Sequence, residues 1–233
     1  MLFDRRAAIE ALIVSAVVTA LVTIASRLTS QHVATFVGLT FLTATWVMVW
    51  RRDDGTVEKC GLVFGGVVLP GPLNRKRVAT SFGRALAWAL FFSVITFAPF
   101  YFGWRWWWHP HMKFALDLLP LPFLNDAAGQ LLMIALPEEA FYRGYLQSRL
   151  DDAFGTPWKI GGAMIGPSLF VTSAIFALGH LATVHDPARL AVFFPSLLFG
   201  WLRARTRGVG AGVLFHASCN IFSELLGRGF GLY

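Results

Sequence analysis

From Val33 to Trp50 the chain carries no Asp, Glu, Lys or Arg, and the run from Ala7 to Ser26 just before it carries only Glu10. A helix needs roughly 20 residues to cross a hydrocarbon layer of about 30 Å. Two such runs in succession are too long and too apolar for the core of a small water-soluble domain. Composition agrees: 56% of the residues are hydrophobic and 14% charged, against roughly 25% charged in an ordinary soluble domain.

Further spans are expected at about Ala85 to Phe102, Asp126 to Leu150, Ile160 to Leu181, Leu190 to Leu202 and Val209 to Leu226. With the first two they predict an all-α, polytopic transmembrane bundle of about seven spans, forming a single integral membrane domain over residues 1–233. The Gly- and Pro-rich segment from Cys60 to Arg77 reads as interfacial or re-entrant, and an eighth element between Cys60 and Pro72 would change the count. Trp104, Trp106, Trp107 and Trp108 suit the headgroup level, where an aromatic ring keeps one edge wet. The first run is not read as a signal peptide, because a second follows at once with no small-residue cleavage site between them.

The net charge of +7 lies between these spans, which points to orientation in a membrane rather than to a nucleic-acid surface. With the N-terminus inside, the inner segments hold Arg5, Arg6, Arg51, Arg52, Lys59, Arg75, Lys76, Arg77, Arg84, Arg149, Lys159, Arg203, Arg205 and Arg207. The outer ones hold Arg27, Arg105, Lys113 and Arg228. This asymmetry predicts a cytoplasmic N-terminus and, by its style, a bacterial inner membrane. Two cysteines, Cys60 and Cys219, build neither a disulfide framework nor a cysteine zinc site. Nothing in the sequence sets an oligomeric state.

Ionisable residues inside a span are costly and mark pairing, binding or reaction. Three expected spans hold them: Pro137-Glu138-Glu139-Ala140-Phe141-Tyr142-Arg143, Phe176 to His180, and His216 to Asn220. Successive helical side chains diverge by about 100°, so Glu138 and Glu139 are expected to point to different places. Glu139 lies four residues before Arg143, the favourable order for an ion pair, which leaves Glu138 as the unpaired carboxylate. Pro137 withholds an N–H from the preceding turn and is expected to disturb the helix beside Glu138. His216 and Asn220 share a face and can offer two donors to one oxyanion. Phe176 shares a face with His180 and can pack its imidazole. His109, His111, His185, Glu10, Asp117 and Glu224 are expected in solvated or interfacial positions.

These three motifs, in this order, resemble the CAAX protease and bacteriocin-processing family of glutamic-type intramembrane endopeptidases, related to the type II CAAX prenyl endopeptidase. Phe141, Tyr142 and Gly144 also fit the surroundings of its first motif, and the resemblance covers about Gln130 to Ile221 within a catalytic core of residues 126–226. It implies an active site inside the bundle, with Glu138 as general base, His180 holding the water, and His216 with Asn220 stabilising the oxyanion. Glu139, Arg143 and Phe176 would support them. It implies no cofactor in the favoured form. A zinc held by His180, His216 and a Glu is the alternative, although no HExxH-type pair of ligands is present.

The implied activity is hydrolysis of a peptide bond in a membrane-associated, C-terminally anchored or sorted polypeptide, with the bilayer as the other partner. A non-catalytic scaffold or bacteriocin-immunity protein of the same fold is the competing reading. A proton-coupled carrier is a third, disfavoured because no internal repeat is visible. In straight spans His180 falls near the outer end of its helix while Glu138 is central. A break at Gly166-Pro167, shifting the fifth span toward Leu169 to His185, would bring His180 inward.

Overall fold

The computed structural model describes residues 3–28, 32–115 and 123–232, which are predominantly helical. α1 (Arg5–Leu28) and α2 (Val33–Thr45) pack against each other, and α2 continues into a π turn, Trp46–Trp50. The polar stretch that follows folds into α3 (Asp54–Lys59), where Asp53 accepts hydrogen bonds from the Thr56 backbone N–H and hydroxyl. The Thr56 hydroxyl, together with that N–H, holds the Asp53 carboxyl below its ordinary range.

α4 (Arg75–Trp108) is longer than the expected Ala85 to Phe102: its 34 residues make a rod of about 51 Å. The additional turns are the charged N-terminal end, capped by Asn74, and the tryptophan cluster. Neither contains a proline, and the single glycine in each, Gly83 and Gly103, is tolerated, so the helix runs on until His109 adopts a left-handed conformation. Trp106, Trp107 and Trp108 are exposed, while Trp104 is buried with Leu226 and Phe230.

The expected fourth span is one helical rod from 123 to 154. It comprises α5 (Phe123–Gly129), a π segment Gln130–Ala135, α6 (Leu136–Glu139), a second π segment Ala140–Gln147, and α7 (Ser148–Phe154). Pro137 disturbs the helix as expected, with the wider turn lying just before it. Its ring has no N–H for the carbonyl of Met133 four residues earlier. That oxygen faces Gly38 on α2, where an added Cβ would sit 2.5 Å from it, so the two helices approach there only because residue 38 has no side chain.

The expected fifth span needs correction at its start. Residues 158–165 form a hairpin of β1 (Trp158–Ile160) and β2 (Ala163–Ile165), with Ile160 opposite Ala163. Gly161 and Gly162 between them have φ of 57° and 79°, the two left-handed positions that a tight hairpin turn requires. α8 (Pro167–Thr183) starts at the Gly166-Pro167 break, with Pro167 in the first turn, where a missing N–H leaves no bond unmade. A 3₁₀ turn, Pro187–Val192, leads into α9 (Phe193–Thr206), and α10 (Gly210–Gly229) closes the bundle along α4 and α9.

The segment from Cys60 to Arg77 contains a 3₁₀ turn, Phe64–Gly66, and tucks the buried side chain of Leu62 against Gly144 of the central rod. Among the described residues, Arg5–Arg27, Val33–Trp50 and Arg75–Trp108 are long and apolar enough to cross a membrane. α8 is apolar but has 17 residues, and α9 has 14, about 26 Å and 21 Å of helix. The count of seven spans therefore does not follow from length and apolarity.

What does follow is an inverted polarity. Leu90, Val94 and Phe102 of α4 are 57%, 78% and 70% exposed, whereas every side chain from Pro137 to Ser148, including two carboxylates and a guanidinium, is buried. An apolar exterior around a polar centre is the arrangement of an integral membrane protein.

Candidate active site

The central rod presents Glu139 and Arg143 one turn apart, both essentially without solvent contact. Arg143 Nη1 donates to Glu139 Oε1 at 2.7 Å, the expected intrahelical pair. Its Nη2 donates to the hydroxyl and carbonyl of Ser196 on α9, at 2.6 and 3.2 Å. The guanidinium lies over the rings of Phe176 and Phe199, at 4.6 and 5.1 Å. Such a desolvated cation is tolerable only with several partners of this kind, here serving both terminal nitrogens while Nε has none among the described residues.

Glu139 has a second partner. His216 Nδ1 is 2.9 Å from the same Oε1 that accepts from Arg143. Since a carboxylate can only accept there, Nδ1 carries the proton and Nε2 is left facing Glu138, whose Oε2 is 3.9 Å away. Glu138 and Glu139 thus point to different sides of one imidazole, Glu139 hydrogen-bonded at Nδ1 and Glu138 near Nε2 without a hydrogen bond. Phe199 stacks on that imidazole at 4.7 Å and 12°. Gly212, one turn earlier on α10, lets the helix approach so closely that an added Cβ would lie 3.0 Å from Glu139 Oε2.

Phe176 joins the two histidines. Its ring is 4.4 Å from that of His180 and meets that of His216 edge-on at 5.9 Å. His180 Nδ1 lies 3.0 Å from the Phe176 carbonyl one turn earlier. A carbonyl only accepts, so Nδ1 donates and Nε2 keeps its lone pair. Starting α8 at Pro167 thus places His180 beside the ring that also touches His216, although it is one turn from the helix end.

Asn220 departs from the expected pairing. Its amide donates not toward His216's partners but to Gln130 Oε1 at 3.0 Å. Gln130 Nε2 reaches Glu224 at 3.5 Å, and Arg228 ties Glu224 and Asp126 together at 2.5 and 2.8 Å. One Asn220 N–H is therefore held by this chain and one is free to act elsewhere. Sequence reasoning missed Gln130, Ser196, Phe199 and Gly212. Gln130 had a signal, being an isolated amide in an apolar stretch; a serine, a phenylalanine and a glycine in apolar helices have none.

The remaining candidates lie apart. His109, His111 and His185 are exposed, with Arg27 Nη2 3.2 Å from His185 Nε2. Glu10 pairs with Arg149 at 2.9 Å. Asp117 lies outside the described residues. Both cysteines are free, and burial pushes the Cys60 thiol up from its ordinary range. Among the described residues no three His, Cys, Asp or Glu side chains come together at metal-ligand spacing.

Two buried carboxylates, two imidazoles with Nδ1 committed and Nε2 presented, and an amide donor on the same helix as one of them are a set suited to moving a proton beside a polar bond. Residues 120–222 match the family model described as type II CAAX prenyl endopeptidase Rce1-like. No curated protein and no solved structure matches the chain. The matched stretch contains all three motifs and the rod, α8 and the part of α10 that carry them. Over residues 120–222, somewhat less than half of its length, the chain is therefore similar to the Rce1-like family of type II CAAX prenyl endopeptidases.

Proposed function

We propose that the chain is a glutamic-type intramembrane endopeptidase of the bacterial inner membrane, with its N-terminus in the cytoplasm. It hydrolyses a peptide bond in a membrane-associated polypeptide near a C-terminal anchor or sorting signal. The observation that carries this reading is Glu138: its Oε2 is buried, has no hydrogen-bond partner among the described residues and faces His216 Nε2, whereas Glu139, whose Oε2 is also without a partner, is engaged through Oε1 by Arg143 and His216. A buried acceptor left unsatisfied carries a penalty of about 1–3 kcal/mol, more for a charged group. A catalytic group kept for a substrate accounts for it.

In this reading Glu138 takes a proton from water while His180, through Nε2, accepts the water's other O–H and aims it. The hydroxide attacks the scissile carbonyl. The oxyanion is received by the free Asn220 N–H and by His216 Nε2, which donates there only in the imidazolium form, its second proton being present before the attack and kept through the cycle. The proton on Glu138 then passes to the departing amine, so the base is restored. Glu139 acts through others, holding Arg143 and His216 at once.

The reading is metal-free. A catalytic zinc would require three protein ligands and an open position. The Nδ1 atoms of both histidines are directed to a carboxylate and a carbonyl, which supports using them as positioned imidazoles. The test compares wild type with Glu138→Gln in cells and reads the membrane proteome for one uncleaved precursor. No difference between the two would refute proteolysis by this site.

A further inference from the structure

At the basic end of the bundle, a cavity of about 930 Å³ opens between the start of α4, the Phe64–Gly66 turn, the central rod and the start of α10. It is at the upper end of the roughly 300–1,000 Å³ of ligand pockets. Its walls have two characters. The floor is apolar, with Leu131, Leu132 and Leu136 from the rod and Val213 and Leu214 from α10. The mouth is cationic, with Lys76, Arg77, Arg84 and Arg207 against a single carboxylate, Glu58.

Arg77 reaches that carboxylate at 3.7 Å. Lys76, Arg84 and Arg207 are exposed and have no ion pair or side-chain hydrogen bond among the described residues. Elsewhere at this end Lys59 pairs with Asp152, Arg203 with Asp151 and Arg149 with Glu10, while Arg5, Arg6, Arg51, Arg52 and Arg75 are unpaired among the described residues but do not line the cavity. Lys76, Arg84 and Arg207 differ from those in lying together around an apolar cleft between helices.

We propose that this cavity binds one anionic phospholipid, its phosphate against Lys76, Arg84 and Arg207 and an acyl chain over Leu131, Leu132 and Leu214. A soluble anion would leave the apolar floor in contact with water, and an uncharged lipid would leave the three cations without counter-charge. An anionic amphiphile matches both halves. Each basic side chain near a membrane surface contributes about 1 kcal/mol toward anionic lipid. The proposal stands on this cavity alone and does not depend on proteolysis.

The test uses the full chain in nanodiscs of mixed phosphatidylglycerol and phosphatidylcholine, released into mild detergent and read by native mass spectrometry. One phosphatidylglycerol per chain is expected to stay bound. In K76Q/R84Q/R207Q its retention should fall by about tenfold or more, while R5Q/R6Q/R51Q, which removes three charges away from the cavity, retains it. Leu132→Trp, which crowds the floor and keeps every cation, should also lose the lipid. Equal retention of the two lipids, or equal loss in both charge variants, would overturn the proposal. So would a photo-crosslinker at Phe82 that captures an uncleaved polypeptide in place of lipid, which would make the cavity a substrate groove.

Discussion

His216 and Glu139, 77 residues apart in sequence, are joined by a buried hydrogen bond of 2.9 Å to the oxygen that also accepts from Arg143. A residue expected to serve the scaffold alone thus also fixes the tautomer of a proposed catalytic imidazole. Stability and chemistry meet in one carboxylate, and substitutions around it should separate them in a defined way.

Arg143→Ala should damage folding at least as much as turnover. It leaves Glu139 buried with one partner fewer and empties the space between Phe176 and Phe199, and breaking a buried pair in this way costs about 3–5 kcal/mol. Thermal unfolding in detergent and membrane yield measure this. Normal stability with only cleavage lost would move Arg143 into the catalytic group.

His180 and His216 should differ when each is replaced by alanine. His180 is half-buried and its recorded hydrogen bond lies within its own helix, so His180→Ala should lose cleavage while stability changes by about 1 kcal/mol or less. His216→Ala removes a partner of Glu139 from a fully packed centre and should cost about 2–4 kcal/mol as well as activity. The comparison is between unfolding midpoints and precursor accumulation for the two variants. Equal stability losses would contradict it.

Gly38→Ala should destabilise the protein without touching the site, because the new Cβ would press on the Met133 carbonyl beside Pro137. The neighbour is backbone and cannot rotate away, so about 1–3 kcal/mol is expected. Denaturant or thermal melts read it. A neutral result would mean that α2 shifts freely along the rod.

Metal stripping should leave hydrolysis unchanged. The purified protein is analysed for bound elements and assayed before and after chelation. Stoichiometric zinc whose removal abolishes cleavage and whose return restores it would replace the glutamic mechanism with a metal one at the same residues.

Much was legible in the sequence because solvent class and helical periodicity are local properties. Charge-free runs such as Val33 to Trp50 set a membrane bundle, and the four-residue spacing of Glu139 and Arg143 set their ion pair, since i and i+4 meet on any helix. The Gly166-Pro167 break set the start of α8 by the geometry of proline. The same local rules mislead where a second influence acts: apolarity alone favours helix over Ile160 to Gly166, but Gly161-Gly162 folds it into a hairpin.

Which side chains meet across helices was decided only by the tertiary structure, because no local rule fixes the relative rotation of elements far apart in the chain. Hence His216 spanning Glu138 and Glu139, and Asn220 turned to Gln130, were not readable from spacing on α10. Gly212 and Gly38 were silent for the same reason: the lack of a side chain has meaning only once another helix lies against it.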